Sequence, residues 1–112
     1  ERDVDHYTII EHDGVIFACA ALYPYPEGKT AEMAALTVSP QSQGQGDGER
    51  VLKRIEQRAK GMGLDSIFVL TTRTMHWFIK RGFQVVDPDW LPEARKRKYN
   101  WDRRSQVLVK KL

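Results

Sequence analysis

The segment VSPQSQGQGDGERVLKRI, residues 38–55, places glycine at positions 44, 46 and 48 and then begins an amphipathic helical pattern. Glycine costs about 0.5–1 kcal/mol relative to alanine inside a helix or strand, so this loop needs either unusual φ angles or an uncovered backbone. An uncovered backbone before a helix suits an anion, because the unpaired N–H groups and the positive end of the helix dipole both attract negative charge. The alternative is an ordinary strand-to-helix turn in which glycine supplies only the geometry.

The pattern of apolar residues around this loop predicts a single mixed α/β domain spanning residues 1–112. Residues 31–38 have some helical propensity, but they are few and lie between Gly28 and Pro40, so we predict a strand. An Asp13-Gly14 turn joins the first two strands as a hairpin, and residues 24–28 end the second strand. The predicted strands are residues 7–10, 15–23, 31–38, 66–70, 83–86 and 106–109; the predicted helices are residues 47–61 and 74–81, with a helical turn at residues 93–98.

The composition indicates a small domain without disulfides, metal or membrane segments. With 112 residues, of which 41% are hydrophobic, the chain is long enough for one modest core. Cys19 is the single cysteine, which favours a reducing compartment, and its small apolar neighbours favour a structural thiol over a nucleophile. The histidines lack the spacing of metal ligands, and no apolar run approaches the roughly 18 residues of a membrane span. We therefore expect a soluble, cytoplasmic protein with no metal and no membrane partner.

Positive charge is concentrated near the end of the chain. The net charge of the whole chain is +3, and residues 93–111 hold eight Lys and Arg against two acids. Such a segment can bind nucleic acid or a small anion, although a solvated basic face is the commoner outcome. Tyr99 and Trp101 are the only aromatic side chains within it, so we predict that nucleic acid is not a partner.

Two motifs of the sequence resemble those of the GNAT acetyltransferases. The glycine loop resembles the acetyl-CoA signature V-x-P, two residues, then [RQ]-x-x-G-x-[GA], with Gln43, Gly46 and Gly48 on the marked positions. Residues 77–83, WFIKRGF, resemble the segment FYxKxGF of the same superfamily. Three longer stretches are similar to the acetyltransferase domain of the bacterial N-acetylglutamate synthase family: EMAALTVSP, LTTRTMHWFIKRGF and LPEARKRKYNWDRRSQVLVKKL.

This resemblance implies a fold and an activity. The fold is the GNAT acyl-CoA N-acyltransferase fold, an α/β (α+β) fold with a mixed, mostly antiparallel sheet flanked by helices. The activity is acetyl transfer from acetyl-CoA to the α-amine of L-glutamate, the first step of arginine biosynthesis. The strand and two helices that normally begin this fold have no counterpart here, and neither does the family's amino-acid-kinase-like domain. We therefore expect a chain that is incomplete at its N-terminus, and a homo-oligomer in the full-length parent.

The resemblance also implies where acetyl-CoA binds. Its pyrophosphate would lie on the backbone N–H groups of residues 43–48. Its pantetheine arm would lie along residues 36–38, where the third strand ends in a bulge and splays from its neighbour. The N–H of Leu36 or Thr37 would donate to the developing oxyanion, unless these residues simply pair with a strand. The implied cofactor-binding residues are Leu36, Thr37, Val38, Gln43, Gly44, Gln45, Gly46, Asp47, Gly48 and Phe78.

Glu32 is the candidate general base. It stands in an otherwise apolar strand, and it matches the position of the family's proposed base, which acts on the amine through water. The alternative is a glutamate on the solvent-facing side of the strand. Many related enzymes place a tyrosine beside the departing thiolate, but Trp77 and Phe78 cover that position here. The resemblance leaves Thr71, its neighbour Thr72, or water to protonate the sulfur.

A substrate with two carboxylates and an ammonium group needs cations around it, and arginine can bind a carboxylate through two hydrogen bonds. The candidate substrate-binding residues are Lys29, Arg73, Arg103, Arg104 and Ser105. Of these, we predict Arg104 as the contact to the side-chain carboxylate. Residues 95–98 are expected to form a solvated face or to contact the CoA 3′-phosphate, and so to lie outside the site. Two alternatives remain: an acetyltransferase for another amine, and a domain that binds acetyl-CoA without turnover.

Overall fold

The chain folds into a six-stranded sheet with helices packed on it, as seen in a computed structural model. The structure describes residues 7–40, 44 and 46–112. The strands are β1 (Tyr7–His12), β2 (Val15–Tyr25), β3 (Thr30–Val38), β4 (Ser66–Thr71), β5 (Gln84–Val86) and β6 (Gln106–Lys111); the helices are α1 (Asp47–Gly61), α2 (Met75–Ile79) and α3 (Glu93–Lys96). The strand order is β1-β2-β3-β4-β6-β5. β3 and β4 pair in parallel, and the other pairings are antiparallel. The predicted mixed and mostly antiparallel sheet is therefore confirmed.

A tight hairpin begins the sheet, as predicted. Asp13 and Gly14 have φ angles of 51° and 80°, the left-handed values that a two-residue turn of type I′ requires. β2 runs two residues further than predicted, through Pro24 to Tyr25. The described part of β1 pairs with β2 as far as Ala21, and the rest of β2, Pro24 included, continues its ladder with β3.

α1 begins directly after the glycine loop and packs on the first three strands. Its bounds are those predicted from the periodicity, and its apolar stripe, including Val51, Leu52 and Ile55, is buried in the core. α2 is shorter than predicted at both ends, since Thr74 is its N-cap and Lys80 its C-cap, and Gly82, with a φ of 98°, then turns the chain away. Its Phe78 packs into the same core. Among the described residues, no helix is long and apolar enough to cross a membrane.

The segment between β5 and β6 covers the opposite face of the sheet. Leu91 and Tyr99, which flank α3, are both buried and pack against Phe68 and Val107. The Tyr99 hydroxyl also donates a hydrogen bond to the carbonyl of Ser105 at 2.7 Å. α3 is therefore anchored on both sides to the middle of the sheet, although it has only four residues.

β3 and β4 separate after a short parallel ladder. Their pairing begins at Thr30 and stops at Glu32. Further along β3, Ala35 has a φ of 56°, and the register of β3 against β2 shifts there by one residue. This shift is a β-bulge, which bends the strand that carries it. The bulge and the splay that the resemblance implied are both present, and a cleft opens between the two strands.

Candidate active site

A cavity of about 820 Å³ lies in the cleft between the separated ends of β3 and β4, and we call it the large cavity. One wall follows β3 from Glu32 to Val38, and a second is the beginning of α1. α2 closes the cavity with Trp77 and Phe78. A strand edge that leads to a helix N-terminus suits an extended ligand with an anionic group at one end.

The loop before α1 requires glycine for two different reasons. Gly44 and Gly46 have φ angles of 86° and 84°, so any other residue there would be strained. Both line the large cavity, and a Cβ added to either would meet no atom within 4 Å. Gly48 differs, because its added Cβ would stand 3.2 Å from Cζ2 of Trp77. Gly48 therefore has a packing role, the close approach of α2 to α1, that the loop pattern does not predict.

Asp47 brings a negative charge to the helix end that faces the large cavity. It is 2% exposed and forms an ion pair with Arg50, one turn further along α1. This pairing neutralises the carboxylate, so the helix end keeps its attraction for an anion. Gln43 and Gln45, which were also predicted to bind the cofactor, lie outside the described residues.

Residues 36–38 present one edge of β3 to the large cavity. Thr37 and Val38 pair with β2 on the other side of the strand, whereas the ladder with β4 has already ended. Strand pairing therefore accounts for one edge of this segment only. Leu36 and Val38 line the cavity. The Thr37 side chain does not line it, and its hydroxyl donates to the carbonyl of Ala35 at 3.2 Å.

Glu32 is buried where the parallel ladder ends. The residues on either side of it, Ala31 and Met33, face α1 and the main core, so Glu32 faces the opposite side of the sheet. It is 9% exposed, and the alternative of a solvent-facing glutamate is therefore wrong. Glu32 lines the large cavity and also a second cavity of about 250 Å³. Glu32 thus lies at the boundary of the two cavities.

The second cavity is polar and mostly basic. Its lining contains three cationic side chains and one carboxylate, so the cavity suits a small anion. Asn100 shapes one wall, because its side-chain oxygen accepts hydrogen bonds from the backbone N–H groups of Asp102 and Arg103 at 3.0 and 3.1 Å. The structure brings two of the predicted substrate-binding residues, Arg103 and Ser105, into one cavity with Glu32. The full lining is Glu32, Leu70, Arg95, Lys98, Tyr99, Asn100, Arg103 and Ser105.

Arg95 of α3 and Glu32 of β3 form an ion pair on one face of the sheet, which the sequence analysis missed. Nε of Arg95 donates to Oε1 of Glu32 at 2.7 Å, and Nη2 donates to Oε2 at 3.3 Å. The expectation of a solvated face for residues 95–98 is therefore wrong for Arg95, whereas Lys98 is exposed as expected and also lines the second cavity. A buried glutamate requires a cationic partner, so a glutamate in an apolar strand is a signal that such a partner exists. This signal does not indicate which of the many basic residues is the partner.

Tyr25 lies in the electrostatic field of this pair. Burial raises the pKa of its hydroxyl above the ordinary 10.0, the Glu32 carboxylate raises that pKa further, and the Arg95 guanidinium lowers it. Tyr25 packs against Phe68, which pairs with Glu32 in the parallel ladder. Tyr25, Glu32 and Arg95 therefore form one electrostatic cluster, and two of its members, Glu32 and Arg95, line the second cavity.

Thr71 lines the large cavity at the end of β4. Its hydroxyl oxygen accepts hydrogen bonds from the backbone N–H groups of Arg73 and Thr74 at 3.2 and 3.0 Å. It also lies 2.8 Å from the hydroxyl oxygen of Thr74. Thr71 therefore shapes the turn into α2 as well as facing the cavity. Thr72 is exposed and lines neither cavity.

Three predicted substrate-binding residues do not line either cavity. Lys29 and Arg73 are exposed in turns, and Arg104 is exposed with a φ of 56°. Cys19 is half-buried in β2 and lines neither cavity. Within residues 7–40, 44 and 46–112, no group of three His, Cys, Asp or Glu is arranged to hold a metal ion. Lining residues that the sequence analysis did not indicate include Glu49, Thr74, Arg81, Lys98 and Asn100.

The chain belongs to the acetyltransferase (GNAT) family, whose sequence model matches residues 1–83. An amino-acid acetyltransferase from Ralstonia nicotianae is 62% identical over all 112 residues of the chain, which correspond to 25% of that protein. The N-acetylglutamate synthase from Neisseria gonorrhoeae, complexed with coenzyme A and N-acetyl-glutamate, has a TM-score of 0.93 and 43% identity, over 98% of this chain and 26% of its own. The same enzyme complexed with coenzyme A and L-arginine has a TM-score of 0.89 and 44% identity, over 97% of this chain and 25% of the enzyme's own chain. The chain thus spans about a quarter of the length of these relatives.

Proposed function

We propose that this chain is the catalytic domain of an amino-acid N-acetyltransferase, which transfers acetyl from acetyl-CoA to the α-amine of L-glutamate. The observation that carries the proposal is the position of Glu32, which lines both cavities. A general base must reach the amine while the amine attacks the acetyl group. It therefore belongs where the binding sites of the two substrates meet.

Acetyl-CoA is assigned to the large cavity. Its pyrophosphate would bind at the beginning of α1, where Gly44 and Gly46 leave the backbone uncovered. The pantetheine arm would lie along the open edge of β3, beside Leu36 and Val38. The similar enzyme from Neisseria gonorrhoeae was solved with coenzyme A, which supports this assignment.

L-Glutamate is assigned to the second cavity. It carries two carboxylates and one ammonium group, and the lining of the cavity offers two cations, Lys98 and Arg103, besides the pair of Arg95 and Glu32. The ammonium would face Glu32, while Lys98 and Arg103 would bind the carboxylates. Arg104, the residue predicted for the side-chain carboxylate, is replaced in this role by its neighbour Arg103, because Arg104 does not line the cavity.

The chemistry requires a neutral amine, and the α-amine of glutamate is mostly protonated at neutral pH. Glu32 accepts one proton through a bridging water, and the freed lone pair attacks the carbonyl carbon of the thioester. The electrons of the carbonyl bond move to oxygen, for which the N–H of Leu36 or Thr37 is the candidate donor. As the oxyanion re-forms the carbonyl bond, the C–S bond breaks and its electron pair leaves with the sulfur. The second proton of the nitrogen passes to this thiolate through the Thr71 hydroxyl, which donates one proton and regains another, or through water. CoA and N-acetyl-L-glutamate result, and Glu32 releases its proton to solvent.

The extent of the family match supports an amino acid as the acceptor. The sequence model of the general family ends at residue 83, and it therefore covers the lining of the large cavity. Most of the second cavity is formed by residues 95–105, beyond that match. The amino-acid acetyltransferase from Ralstonia nicotianae is similar over the whole chain, and so shares this segment as well.

Release of CoA by the full-length protein, followed with a thiol reagent, tests the proposal. L-Glutamate should be acetylated, with N-acetyl-L-glutamate identified by mass spectrometry, and L-glutamine or a lysine peptide should react far more slowly. Equal rates with glutamine or the peptide would assign another amine as the substrate. Binding of acetyl-CoA with no CoA release for any amine would instead indicate a domain that binds the cofactor without turnover.

A further inference from the structure

We propose that Arg95 is a positioning residue for Glu32, an inference that rests on the proposed role of Glu32 as the general base. Its two hydrogen bonds hold the carboxylate in a fixed orientation at the boundary of the two cavities. An ionised carboxylate in a fixed orientation is the form that can accept the proton of the amine. The reaction thus depends on a residue 63 positions away in the sequence from the base.

The geometry of the pair restricts the carboxylate more than a single contact would. The guanidinium approaches side-on, with Nε on one carboxylate oxygen and Nη2 on the other. Such a two-point contact fixes the plane of the carboxylate as well as its position. The side chains of Arg95 and Glu32 are 16% and 12% exposed, so competition from bulk water is limited.

Arg95 is itself held rigidly. Its helix, α3, is fixed on one side by Leu91 and on the other by Tyr99, both of which are buried against the sheet. The backbone N–H of Arg95 donates to the carbonyl of Pro92 at 2.9 Å, which sets the first turn of α3. A positioning residue must stand on a supported element, because otherwise it would move together with the group that it orients.

The pair also leaves the recognition of the acceptor to other cations. The Nε–Nη2 edge, with which Arg95 would bind a carboxylate of the substrate, is already occupied by Glu32. Lys98 and Arg103 line the same cavity and supply positive charge for the acceptor. Loss of Arg95 should therefore act on the rate of the chemical step more than on the affinity for glutamate.

A double-mutant cycle in the full-length protein tests this inference, with kcat and both KM values as readouts. Arg95→Met should lower kcat about 10- to 100-fold, the loss typical of a partner that orients a reacting group, with little change in either KM. Adding Arg95→Met to Glu32→Gln should lower kcat hardly any further, because the double mutant has no base left to orient. Arg95→Lys keeps the charge near Glu32 and should recover part of kcat. Arg97→Met, an exposed neighbour outside both cavities, is the matched control.

Each other outcome has a distinct meaning. If Glu32→Gln lowers kcat but Arg95→Met does not, the inference fails and the proposed function stands. Independent, multiplying losses in the double mutant would show that Arg95 acts elsewhere, and a raised KM for glutamate would place that action on the acceptor. An unchanged kcat in Glu32→Gln overturns the base assignment together with this inference. If Arg95→Met folds poorly, the test rests on Arg95→Lys alone. A kcat of Arg95→Lys equal to that of the wild type would then refute the inference, because lysine cannot make the two-point contact.

Discussion

The indole of Trp77 lies directly against the backbone of Gly48, so closely that an added Cβ would stand 3.2 Å from Cζ2. This contact joins α2 to the beginning of α1, and both elements line the large cavity. Gly48, next to the proposed phosphate site, therefore shapes the cavity in two ways. Its own backbone lines the cavity, and its lack of a side chain lets Trp77 approach α1.

Gly48→Ala should weaken acetyl-CoA binding, because the new methyl group displaces Trp77 from the cavity wall. Overpacking of this kind typically costs about 1–3 kcal/mol, which offsets the gain in helix propensity. Gly61→Ala is the matched control, since it lies in the same helix with no atom within 4 Å of an added Cβ. That control should raise the unfolding free energy by about 0.4–1 kcal/mol. Equal stabilisation by both changes in thermal unfolding, with equal acetyl-CoA affinity by calorimetry, would contradict the packing role.

Glu32→Gln should lower kcat at neutral pH by roughly 10²- to 10⁴-fold, the usual contribution of general base catalysis. The loss should shrink as the pH rises, because solvent then deprotonates more of the amine without help from the enzyme. The KM for acetyl-CoA should change little. Glu27→Gln, an exposed carboxylate outside both cavities, provides the control. A constant ratio of wild-type to mutant rates from about pH 6 to about pH 10 would argue against a base role.

Tyr25 can report on the charge of the ion pair without any need for turnover. Burial and the Glu32 carboxylate raise its pKa above 10.0, and the Arg95 guanidinium lowers it. The pKa of Tyr25 should therefore fall in Glu32→Gln and rise further in Arg95→Met, as measured by NMR titration of labelled tyrosine. Shifts in the same direction in both variants would mean that the pair is not formed in solution as described.

The elements around the site were predictable where their signals are local. α1 was placed to the residue, because a glycine loop precedes it, an apolar stripe runs through it and glycines follow it. The bulge in β3 came only from the resemblance to a family, since Ala35 carries no mark of its positive φ in the sequence.

The contacts between distant segments were not predictable in the same way. Glu32 was identified, but its partner was assigned to a solvated face, because nothing local shows that Leu91 and Tyr99 turn α3 toward β3. Likewise, the sequence does not indicate whether Arg103 or its neighbour Arg104 faces the site, because both are arginines of the same basic segment. The turn set by Asn100 brings Arg103 into the cavity lining, while Arg104 lies outside it with a positive φ.

The most direct test of the account measures kcat and KM for L-glutamate and L-glutamine in the full-length protein and in Arg103→Met, with Arg104→Met as the neighbouring control. The wild-type protein should prefer glutamate strongly. A hydrogen bond to a charged group contributes about 1.5–3 kcal/mol, so Arg103→Met should raise the KM for glutamate roughly 10- to 150-fold and erode that preference. Arg104→Met should change little. Glutamine acetylated as fast as glutamate by the wild type, or equal losses in the two variants, would contradict the assignment of the second cavity to glutamate.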